Sequence, residues 1–171
     1  MIEKTLSFKC RPSQLVNLEN FLLTLLVVPV VIVMNEMLKT YVPSILIPEK
    51  LVTHIYSLPV YLSVLAVLNL AYQILRVWCI RYEIDTEELR YYSGVLSRKH
   101  EYIELYRVKD FLIERPLIYR LFGLGNLTIY TSDKTTPVLH LYAICEPEEK
   151  YKILRCLVEL NRRKKHVFEV D

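Results

Sequence analysis

The sequence predicts a membrane α-helical hairpin of two transmembrane helices, followed by a mainly β domain that a C-terminal helix caps. Three observations predict it. Residues 51–75 contain no Asp, Glu, Lys or Arg; from Ile80 the pattern switches to period-two alternation; and residues 147–165 carry an apolar stripe at helical spacing. The expected organisation is an N-terminal segment over 1–14, the hairpin over 15–76 and the β domain over 77–171.

The first segment places Lys4, Lys9 and Arg11 ahead of an apolar run, as a signal peptide would. That run ends in Val33-Met34-Asn35-Glu36 without a small-residue cleavage site, so retention is expected. Residues 20–35 are uncharged but span only about 24 Å as a helix. Extending upstream through Leu15, Val16 and Leu18 restores a full crossing, with Glu19 near the interface. Pro29 is tolerable where neighbouring groups satisfy the freed carbonyl.

The second span, Leu51 to Leu75, would extend about 37 Å against a hydrocarbon core of roughly 30 Å. Leu58, Val60, Leu62, Val64, Leu65, Val67, Leu68, Leu70 and Ala71 cover every helical direction, whereas a buried helix of a soluble domain normally keeps one polar face. His54 has two readings, a residue among headgroups in the first turn or part of an ion path. Asn69 and Gln73, at i and i+4, share a face and are expected to make helix–helix contacts toward Asn17 and Asn20. The intervening residues 36–50, with Tyr41, Pro43 and Pro48, read as a tight connector.

Lys4, Lys9 and Arg11 precede the first helix and Arg76 and Arg81 follow the second, against Lys39 and Lys50 between them. The expected location is therefore the plasma (inner) membrane, multi-pass, with both termini cytoplasmic.

Composition narrows the function classes. The chain has 171 residues, 22 basic against 19 acidic, for a net charge of +3. That balance gives no ground for a nucleic-acid partner and suits a protein beside an anionic leaflet. Cys10, Cys79, Cys145 and Cys156 lie far apart with no CxxC or Cys/His metal spacing, so free thiols in a reducing compartment are expected.

Beyond Arg76, Ile80, Tyr82 and Ile84 alternate with Arg81, Glu83 and Asp85, a half-buried strand. Asp85 to Glu88 turns into a second strand over 89–92, and Gly94 marks a turn before Val95 and Leu96. Residues 102–108 alternate again, with Ile103, Leu105 and Tyr106 competing for the core. Lys109 to Arg115 places Phe111 and Ile113 on one face. Pro116 ends that strand, 117–122 is a single helical turn closed by Gly123, and 127–130 with 137–142 form a hairpin. In the last helix Pro147, Glu148 and Glu149 suit the N-terminus and Arg162 to Lys165 the C-terminus. Tyr151, Leu154, Leu157, Val158 and Asn161 form its stripe.

The ordered set Tyr82-Glu83-Ile84-Asp85, Tyr92-Ser93-Gly94-Val95-Leu96-Ser97-Arg98, Ile103-Glu104-Leu105-Tyr106-Arg107-Val108 and Arg120-Leu121-Phe122-Gly123-Leu124-Gly125-Asn126 resembles the bacterial PH-like (pleckstrin-homology-like) membrane proteins. The resemblance implies two N-terminal spans followed by a cytoplasmic PH-like barrel, and no common activity.

No nucleophile elbow, P-loop, HExxH or paired metal spacing occurs, so neither enzyme chemistry nor a cofactor is expected. Gly123-Leu124-Gly125 lacks the further glycine of a dinucleotide site. Asp85, Glu87 and Glu88 would repel phosphate at the first β turn. Arg98, Lys99, Arg115 and Arg120 are the candidate lipid- or partner-binding residues. The leading expectation is a non-catalytic scaffold or regulatory subunit of a larger membrane complex, with membrane lipids, other membrane proteins or further copies of the chain as partners. Two alternatives stay open: a sensor of anionic lipid headgroups, and an accessory subunit of a transporter or secretion machine. Thirteen tyrosines, too many for one small core, favour a recognition surface.

Overall fold

The structure, a computed structural model, describes residues 7–41 and 49–166. Lys4 and residues 42–48 of the expected connector lie outside them, and the connector's residues 36–41 and 49–50 are helical rather than loop. Two compact units emerge: one contains residues 17–75, the other joins the N-terminal residues up to Val16 to Arg76 and everything beyond it.

The helical unit consists of α1, Leu18–Tyr41, entered by a 3-10 turn at Gln14–Asn17, and α2, Glu49–Trp78. Two stretches are long and apolar enough to cross a membrane, Gln14–Thr40 and Tyr56–Trp78. Most of their apolar side chains are exposed, Leu25, Leu26, Leu65 and Leu68 among them, while Val77 is buried. Polar side chains inside these helices turn back on the backbone: Thr24 donates to the Asn20 carbonyl at 2.8 Å and Ser63 to the Pro59 carbonyl at 2.9 Å. Such bonds hide hydroxyls that hydrocarbon would leave unsatisfied.

The β domain packs two antiparallel sheets. The first runs in the order β1 (Phe8–Cys10), β2 (Arg81–Ile84), β3 (Glu88–Ser93) and β4 (Lys99–Glu104). The second is β5 (Val108–Glu114), β6 (Leu124–Thr131) and β7 (Val138–Cys145). The short helix α3, Leu117–Leu121, joins β5 to β6, and α4, Pro147–Lys164, follows β7. Tyr82, Leu89, Ile103, Leu105, Leu127, Ile129 and Leu141 fill the core, over which α4 lays Leu154, Leu157 and Val158. Buried Asn161 ends that stripe, its amide donating to the Thr86 carbonyl at 2.6 Å and the Leu157 carbonyl at 2.8 Å. A helix so pinned satisfies a loop carbonyl that the core would otherwise strand.

Three sequence expectations require correction. The N-terminal segment is not separate from the domain: Phe8↔Ile84, Lys9↔Glu83 and Cys10↔Tyr82 pair it with β2, so the domain is discontinuous in sequence. The turn marked by Gly94 runs through Val95 and Leu96 to Arg98, and the next strand starts at Lys99 rather than Tyr102. The expected strand 102–108 breaks at a 3-10 turn, Leu105–Arg107, because the chain there passes from one sheet to the other. Leu105 is nevertheless fully buried, as its alternation requires.

Candidate functional site

Strand register gathers the candidate site at one end of the β domain. Cys10, the last residue of β1, pairs with Tyr82 at the start of β2, and Arg81 pairs with Tyr92 near the end of β3. The turn from Gly94 to Arg98 follows on the same end. Around it opens a cleft of about 550 Å³ lined by Arg11, Trp78, Arg81, Tyr92, Arg98 and His100, among others.

Its walls are cationic and aromatic. The Arg11 guanidinium lies 5.9 Å from the Trp78 ring centroid, and Tyr92 meets His100 edge-on at 4.8 Å. Glu83 is the carboxylate in the lining, and it is already engaged: Lys9 lies 3.1 Å and Arg81 3.7 Å from it. Arg98 forms no ion pair among the described residues. Gly94 has φ of +103°, and a β-carbon there would sit 1.8 Å from the Ser97 carbonyl oxygen, so only glycine closes this turn and brings Arg98 back to the cleft. Three guanidiniums and a single committed carboxylate favour an anionic group such as a phosphate.

The four cations expected from sequence do not converge. Arg98 lines the cleft. Lys99 opens β4 and is paired with Glu101, whose carboxylate raises its pKa through a hydrogen bond. Arg115 is structural: it meets Glu148 of α4 at 2.7 Å and donates from Nε to the Leu124 carbonyl at 3.3 Å. Glu148 is held below the usual carboxylate range first by a bond to its own backbone amide and then by Arg115. Arg120 is exposed on α3, with no ion pair among the described residues. Arg11 and Arg81, by contrast, escaped sequence reading as site residues, whereas His100 reads together with Arg98 and Lys99 as a basic patch. Arg11 reaches the cleft only because β1 joins the sheet, a pairing across seventy residues whose sole local trace is the alternation Phe8-Lys9-Cys10-Arg11.

In the helical unit, Asn17 donates to the Gln73 backbone carbonyl at 3.2 Å, so the helices are bonded at that level through main chain rather than through the Gln73 amide. Asn69 is exposed. His54 lines an apolar notch of about 300 Å³ with Val31, Met34, Leu38, Leu58 and Pro59. No group of three or more His, Cys, Asp or Glu able to hold a metal occurs among the described residues.

Two packed antiparallel sheets closed by a C-terminal helix, with a pair of apolar helices inserted between the first two strands, define a PH-like protein with a helical hairpin. Comparison with protein families agrees: residues 18–156 match the bacterial PH domain family, and the chain belongs to it. No match was found among curated proteins or among solved structures.

Proposed function

We propose that this protein is a non-catalytic, membrane-embedded PH-like module that scaffolds or regulates a larger membrane complex, with its β domain on the cytoplasmic face. The observation that carries the reading is topological. Both apolar helices are inserted between β1 and β2, which pair directly, so the β domain is covalently tied to the hairpin at two neighbouring points. A module tethered in this way is kept close to the bilayer by its chain connections, and two helices are too few to enclose a transport path. The test is the purified protein in proteoliposomes. Neither solute flux nor turnover is expected without partners, while a partner membrane protein is retained at fixed stoichiometry through gentle solubilisation. Flux or turnover by the protein alone contradicts the reading.

The cleft favours a second reading, recognition of anionic headgroups. Arg11, Arg81 and Arg98 supply charge, and Trp78 and Tyr92 supply faces suited to the headgroup level. Trp78 is the single tryptophan of the chain, so its emission reports on the cleft. In nanodiscs, replacing zwitterionic by anionic lipid is expected to shift that emission, with the shift lost at high salt and in Arg98→Glu. Lys99→Glu is expected to matter less, because Lys99 is already paired with Glu101. Identical emission in both lipids would remove this reading and leave the scaffold intact.

A further inference from the structure

Resting on the membrane reading above, we infer that the β domain inserts a second, separate apolar foot into the anionic membrane surface: the helix α3, assisted by Leu96 at the tip of the β3–β4 turn. Leu117, Leu121 and Phe122 are 76%, 83% and 61% exposed, Leu96 is 94% exposed, and α3 buries none of its residues. Leu117, Leu121 and Phe122 are more exposed than other apolar side chains on the domain's surface, such as Leu112 and Leu160, and no core lies beneath them. Its apolar side chains emerge one helical turn apart, at Leu117 and Leu121, with Ile118 and Phe122 beside them.

Charge and position both select a bilayer as the occupant. From residue 115 to residue 132 the only charges are Arg115, already paired with Glu148, and Arg120, so the foot's own residues include no carboxylate and one unpaired guanidinium lies among them. An apolar face edged by arginine is the composition that settles into an anionic interface. Register then places α3 at the end of the domain from which the chain departs toward α1. Ser13, the last residue before the 3-10 turn leading into α1, donates to the Ala143 carbonyl at 3.0 Å. Asn126 accepts from the Ala143 amide at 2.9 Å, and Gly123, at the close of α3, accepts from the Glu146 amide at 3.1 Å. The β3–β4 turn shares this end, since Arg81 pairs with Tyr92.

The opposite end has another character. There Arg90 meets Asp85 and Glu88, Arg107 meets Glu104 at 3.0 Å and Asp133 at 3.6 Å, and Lys165 meets Glu104 at 3.8 Å. Arg90, Arg107 and Lys165 are thus paired at that end, beside the basic last turn of α4, while Arg98 and Arg120 have no carboxylate partner among the described residues. What separates the two ends is therefore the apolar tips, Leu96, Leu117, Leu121 and Phe122, all at the end from which the chain departs toward α1.

Single-tryptophan quenching tests this in the full chain. In a Trp78→Phe background, Phe122→Trp, Leu65→Trp and Tyr130→Trp report on α3, on the second apolar helix and on the far end of β6. The chain is reconstituted in phosphatidylglycerol–phosphatidylcholine vesicles with acyl chains brominated near the headgroups, to report on α3, or near the chain ends, to report on Leu65→Trp. The expected result is about a twofold loss of emission at Phe122→Trp, with Tyr130→Trp unchanged. Quenching at Leu65→Trp with none at Phe122→Trp overturns the foot while leaving the membrane reading standing. Absence of quenching at Leu65→Trp overturns the membrane reading itself. A blue-shifted but unquenched Phe122→Trp means that protein, either a second copy or a partner, covers α3, and this too overturns the inference.

Discussion

Cys10 packs against the rim of the core, and burial pushes its thiol up to about 11 from an ordinary 9.0, with Lys150 only partly opposing. A pKa raised in the folded state means that folding favours the neutral thiol. Its contribution to stability is therefore full below pH 9.0 and is lost as pH climbs through 9.0 toward 11. Cys145 and Cys156 are exposed, so mass-resolved alkylation at pH 8 is expected to modify these two first and Cys10 last. Equal rates would show that β1 does not shield Cys10. At this scale much was legible in the sequence. Ile103, Leu105, Leu154, Leu157 and Val158 were readable as core from their spacing, and all are buried. The members of the cleft were not, because Arg11 and Arg98 lie far apart in sequence and meet only through strand pairing.

Among elements, those specified by local chemistry were readable and those specified by distant partners were not. Pro116 and Gly123 bracket α3, and Pro147 with Glu148 and Glu149 starts α4, as the composition requires. Three-residue β1 has only the brief alternation Phe8-Lys9-Cys10 as a local signal and exists as an edge on β2. The 3-10 turn at Leu105–Arg107 keeps an alternating pattern while leaving the strand, which hides the change of sheet from a period-two count. The β3–β4 turn is the element on which the candidate site depends most. Gly94→Ala would force a β-carbon against the Ser97 carbonyl at a backbone angle that L side chains avoid. The expected cost is about 2 kcal/mol or more, read as a lowered denaturation midpoint, together with loss of the lipid-dependent Trp78 emission shift. An unaltered midpoint would mean that this turn is not constrained as described.

The molecule as a whole sets two demands on its surroundings. The β domain encloses an apolar core, whereas Gln14–Thr40 and Tyr56–Trp78 expose apolar side chains such as Leu25, Leu26, Leu65 and Leu68 over most of their lengths. Inserting such helices between β1 and β2 couples the two demands, since the domain completes its first sheet only if the chain goes out along α1 and returns along α2. The most direct measurement of this central claim is alkaline carbonate extraction of membranes from cells expressing the full chain. The protein is expected to stay in the sedimented membranes and to be released only by detergent. Its appearance in the carbonate supernatant, folded and free of lipid, would contradict the claim.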